Sequence, residues 1–111
     1  LYTSLAKLSR EVSLMLSMLA RVGHDEQWVQ EIFATAAARL PQVTLELLPT
    51  KDCTFANLDM ALQTLRLASE RCRGDLLDAC AICVSADGIV KVREAELLRG
   101  IADLLECPMP P

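Results

Sequence analysis

Leu5, Leu8, Val12, Leu16 and Leu19 recur at three- and four-residue intervals. That spacing puts all five on one stripe of a helix, whereas on a strand it would scatter them over both faces. Met15, Met18 and Val22 widen the stripe, so a helix over Tyr2–Val22 is expected to be central, with Gly23 as its stop. The composition points the same way. Hydrophobic residues make up 52% of the 111 residues and aromatics only 4%. The apolar content is mostly Leu and Ala, which favour helix. Four glycines leave few of the tight turns that a sandwich or barrel needs. The expected fold is all-α, a single domain over residues 1–111 built as a bundle of five to seven helices.

Further along the chain, Asp25 is placed to cap a second helix, whose face carries Val29, Ile32, Phe33, Ala36, Ala37 and Leu40 before Pro41 ends it. Gln42–Leu48, fenced by Pro41 and Pro49, reads as a short helix. A helix over Phe55–Ser69 turns Leu58, Leu62 and Leu65 inward, capped by Thr54 or Asn57. Asp75 is expected to cap Leu76–Ala86, Asp87-Gly88 to stop it, and a last helix to run from Val92 to Leu105, ended by Pro108. All connections are expected to be short, which favours neighbouring helices packed against one another.

An internal repeat fits this order, the alternative being chance similarity between two amphipathic helix pairs. Ala20–Leu40 lies without gaps over Ser85–Leu105, matching Gly23 to Gly88, Glu31 to Glu96, Ala37 to Ala102 and Leu40 to Leu105. Each copy reads as helix, glycine turn, helix.

The formal net charge of −4, with basic residues dispersed among acids, argues against a phosphate-binding surface and hence against nucleic acid as partner. No apolar run is long enough to cross a bilayer; the stretch Val12–Val22 is broken by Ser13, Ser17 and Arg21. The chain opens on Leu1 without a signal peptide and stops at Pro110-Pro111, ends that read as boundaries inside a longer protein. Five cysteines, an odd number, suit reduced thiols in a helical core of a cytosolic protein better than a disulfide scaffold. Cys80 and Cys83 have the spacing of half a zinc site but no second pair, and they share a face with Leu76, Leu77 and Val84, so core packing is their expected role.

The segment from Ser85 to Glu96 carries the densest chemistry. Asp87, Glu94 and Glu96 lie around a glycine turn and the start of the next helix. Such carboxylates are tolerated when solvated or when they hold a hard cation, calcium or magnesium. The same residues also have purely structural roles, which are the stronger reading: Gly88 as left-handed cap, Asp87 accepting backbone N–H bonds, Glu94 favoured by the helix dipole. The pattern is not an EF-hand, since the alternating acids before the glycine are missing. His24, the one histidine, sits beside Asp25 and Glu26 and reads as a solvated turn residue. Trp28 reads as a partly buried anchor or a contact residue. No Ser-His-Asp or Cys-His arrangement, HExxH or phosphate loop is present, so no catalytic residues are assigned.

The tail from Leu77 to Gly88, continuing Glu94–Ala102 and closing Cys107-Pro108-Met109-Pro110-Pro111, resembles the TerB-like helical domain at the C-terminus of some bacterial membrane zinc metallopeptidases. These belong to the superfamily that includes HtpX and the CAAX prenyl proteases. The turn Leu19–Asp25 and the helix Leu58–Leu62 match as well. The resemblance implies a helical pseudo-repeat with acidic, cation-binding turns, here Asp87, Glu94 and Glu96. It also implies a parent with transmembrane helices and a zinc protease domain that are not in this chain. Two positions depart from the pattern: Val22 stands where Asp87 stands in the second copy, and Lys91 offers no side-chain oxygen to cap the helix after it. The expected function is a non-catalytic regulatory or interaction domain of a membrane-bound zinc metallopeptidase, on the cytoplasmic side of the inner membrane. It would have a protein partner and no cofactor of its own. The alternatives are a divalent-cation sensor built on the Asp87-Gly88 turn and a helical scaffold that forms homodimers.

Overall fold

The computed structural model describes residues 2–107; the expected stop at Pro108 and the proline-rich tail lie outside them. Five α-helices follow one another: α1 (Ser9–Val22), α2 (Glu26–Ala37), α3 (Phe55–Leu65), α4 (Glu70–Ser85) and α5 (Val92–Leu104). A 3-10 turn, Leu5–Leu8, leads into α1, and another, Thr50–Asp52, precedes α3. Among the described residues there is no strand, only one isolated bridge between Tyr2 and Ala68. The fold is an all-α bundle.

Every residue of α1 from Val12 to Ala20 is buried, and α1 touches each of the other four helices. Its apolar stripe is therefore wider than one face, as a central helix requires. Met15, Leu16 and Leu19 sit in the single core cluster with Val29 and Ala36 of α2, Leu62 and Leu65 of α3, Leu76 and Cys83 of α4, and Ile101 of α5. Each fully buried Leu of this kind contributes on the order of 2 kcal/mol by leaving water.

Two serines are buried inside α1, and they explain the clearest departure from the sequence expectation. Gln42–Leu48 is not a helix: the chain runs without regular structure there. Ser13 Oγ accepts from Glu46 N at 3.1 Å and Ser17 Oγ from Leu48 N at 2.9 Å. Val43, Leu45 and Leu47 alternate with exposed residues, the two-residue period of an extended segment. Pro49 also disfavours helical geometry at Leu48. Arg21 Nη1 completes the attachment by donating to Leu48 O at 2.7 Å. The connection between α2 and α3 is thus long and pinned to α1, not short.

The start of α4 also differs. Ser69 is its N-cap, accepting from Cys72 N at 3.2 Å, and Asp75 lies inside the helix. Cys72, Leu76, Ala79, Cys80 and Cys83 are all buried at helical spacing, so the apolar period begins one turn before Leu76. In consequence α3 ends at Leu65, before Ser69. Thr54 caps it by accepting from Asn57 N at 3.1 Å. The long first helix is divided, a 3-10 turn giving way to α1 at Ser9.

Candidate functional site

The two glycine turns, Gly23 between α1 and α2 and Gly88 between α4 and α5, meet in the fold through His24. Its side chain is only 1% exposed. This overturns the reading of His24 as a solvated turn residue: the neighbours that bury it come from the far end of the chain. Nδ1 lies 3.2 Å from Asp87 Oδ2, and Nε2 lies 3.1 Å from Cys83 O and 3.5 Å from Glu94 Oε2. All three partners are acceptors. Both ring nitrogens thus face acceptor oxygens, whichever of them carries the proton.

Each partner has its own local reason to be there. Cys83 belongs to the last turn of α4, whose carbonyls have no partner within the helix and carry the negative end of its dipole. Glu94 occupies the third position of α5, where the positive end of a helix favours a carboxylate. Its Oε1 accepts from Lys91 N at 3.4 Å, the carboxylate half of a capping box; Lys91 has no acceptor to supply the other half. Asp87 Oδ1 accepts from Ile89 N at 3.0 Å across the turn. That hydrogen bond, with help from the neighbouring His24, holds the Asp87 carboxyl below its ordinary range. One imidazole therefore links a carbonyl at the C-terminus of α4 to the carboxylate that sits at the N-terminus of α5.

Glu94 is fully buried, and its Oε2 has no hydrogen bond that meets ordinary geometry. Among the described residues, the His24 imidazole is the one basic side chain within 4.0 Å of its carboxylate. Gly23 makes room for it, since a Cβ there would fall on the Glu94 carboxyl group. Gly88 is needed for a different reason: its φ of 77° is left-handed, with open space where a Cβ would stand.

Of the acids singled out in the sequence, Asp87 and Glu94 converge on opposite nitrogens of His24. Glu96 does not join them; it is exposed and lines a groove between α3 and α5. Among the described residues, no group of three or more His, Cys, Asp or Glu side chains is arranged to hold a metal ion. The donors around His24 suit a hard cation poorly, because such ions require six or more oxygens and an imidazole stands at the centre.

Beside His24 opens a cavity of about 340 Å³ whose wall includes Asp25, Trp28, Glu31, Asp87 and Lys91. Trp28 is 52% exposed, a half-buried position that fits both a partly buried anchor and a contact residue. Cys80 and Cys83 are buried in α4 as free thiols. Burial raises both; Cys83, next to the Glu94 charge as well, is pushed up to about 12. Neither is a ready thiolate, which suits packing better than metal or redox chemistry.

Comparison with protein-family models, curated proteins and solved structures finds no match. The TerB-like resemblance rests on the residues quoted for it. Sequence reasoning missed His24 as a centre of the site because its partners lie 59 and 63 residues away. The available signal was the repeat itself, which lays the two glycine turns over one another.

Proposed function

We propose that this chain is a non-catalytic accessory domain, regulatory or interacting, of a membrane-bound zinc metallopeptidase. The observation that supports the domain type is the His24 bridge. It ties together, at their turns, two helix–glycine turn–helix units of the kind a TerB-like pseudo-repeat implies. The parentage, the zinc centre in a separate protease domain and the attachment to the cytoplasmic side of the inner membrane rest on the resemblance. No helix among the described residues is long and apolar enough to cross a membrane, so any membrane anchor would belong to other parts of the parent. Sequencing the coding region that flanks these residues tests the proposal. An upstream HExxH and apolar runs of about 20 residues are expected. A flanking sequence with neither overturns the parentage.

The cation-sensor alternative is favoured by one feature, the buried Glu94 oxygen without a hydrogen bond. Titration calorimetry with calcium and with magnesium separates the readings. Flat heats are expected with His24 in place; saturable heat with a raised melting temperature would put the sensor first.

A further inference from the structure

α3 and α5 leave an open groove between them, distinct from the His24 site. Phe55, Leu58, Leu62, Leu97, Ile101 and Leu104 form its apolar walls, enclosing about 360 Å³. Phe55 is 73% exposed and Leu104 is 53% exposed, although both are large apolar side chains that folding would ordinarily cover. A second depression, lined also by Val22 and Arg93, shares Phe55, Glu96 and Leu97 with the first and so extends it along α5. From Arg93 to Leu104 the groove follows α5 for about 17 Å, the length of about three helical turns.

Two further observations say what fits. The charged residues lining the main groove are Asp59, on α3, and Glu96, on α5, both acids; one cation, Arg93, lines only the extension toward Val22. Gly100 stands on the groove wall in the interior of α5, where glycine is less favourable than alanine. The fold does not require it, since a Cβ there would meet nothing within 4 Å. A missing side chain on an apolar wall is a notch that lets another backbone approach closely. We infer that the α3–α5 groove binds a basic amphipathic helix of a partner protein. Its apolar residues at i, i+3, i+4 and i+7 enter between Phe55 and Leu104, and its Lys or Arg side chains pair with Asp59 and Glu96. The inference does not depend on the parentage proposed above.

The probe is a 14-residue amphipathic peptide of Leu and Lys with Leu at those positions, compared with a Leu and Glu counterpart by fluorescence anisotropy. The Lys peptide is expected to saturate and to bind at least tenfold tighter than the Glu peptide. Asp59→Lys with Glu96→Lys should reverse that preference, whereas Asp78→Lys, which changes an exposed acid on α4, should not. Gly100→Leu should raise the melting temperature yet weaken the Lys peptide at least tenfold, which separates a blocked notch from a damaged fold. Equal binding of both peptides, a preference that Asp78→Lys reverses equally well, or a Gly100→Leu variant that binds as before overturns the inference. Sedimentation velocity covers the remaining occupant: a dimer abolished by Phe55→Ser would show that the groove holds a second copy, and would overturn it too.

Discussion

The turns at Gly23 and Gly88 occupy matching places in the two halves, yet glycine serves each for a different physical reason. At Gly23 the backbone has φ of −110°, an ordinary value for any residue; what excludes a side chain is the Glu94 carboxyl group in the space a Cβ would take. At Gly88 the space is open and the left-handed backbone selects glycine. The halves also differ in charge. The second contributes Asp87 and Glu94, while the first contributes His24, which stands where the second has Ile89. Two segments that align in sequence form a complementary pair in space. The residues that differ between the copies join the halves, and the matched glycines only make room or make the turn.

That contrast is open to direct test. Gly23→Ala should destabilise the protein by about 4 kcal/mol in urea unfolding, because the Glu94 side chain must leave its buried position against His24. Combining it with Glu94→Ala should recover part of that loss, so a double-mutant cycle with strictly additive effects would remove Glu94 as the cause. His24→Leu should cost about 3 kcal/mol by leaving the buried Glu94 carboxyl without its polar partner. A loss below about 0.5 kcal/mol, the range of ordinary surface substitutions, would show that the bridge does not join the halves. Gly88→Ala should cost only about 1 kcal/mol, the strain of a left-handed backbone. Equal losses at Gly23 and Gly88 would break the contrast.

The smallest effect is expected at Asp87, which is exposed. Its carboxyl is held below the ordinary range in the fold, so ionisation favours the native state above the unfolded-state value. That contribution is lost as pH falls through the lowered folded-state value. Asp87→Asn should therefore flatten the acid limb of a stability–pH curve below about pH 4, the ordinary carboxylate range, and leave neutral pH nearly unchanged. A variant whose acid limb matches that of the unsubstituted protein would take Asp87 out of the bridge.

Elements whose signals are local were legible in the sequence. The stripe of α1, the Thr54 cap of α3, the Asp87-Gly88 stop and the start of α5 at Val92 each depend on residues within a turn or two of one another. The start of α4 was also written locally, in Ser69 and the spacing of Cys72 from Leu76, but Asp75 offered a competing cap. The site was only partly legible. Asp87 and Glu94 stood out by chemistry, Glu96 accompanied them in sequence but faces the α3–α5 groove, and His24 was read as a surface residue.

What the sequence by itself determined is therefore the helical class and the main helices, because helix formation is governed by period, caps and breakers that are neighbours along the chain. Tertiary structure decided the rest. The extended path of Gln42–Leu48 depends on Ser13 and Ser17, which lie 33 and 31 residues from Glu46 and Leu48. The burial of His24 depends on groups 59 and 63 residues away. A buried polar group is stable only when its partners arrive, and for these residues the partners arrive only when the helices pack.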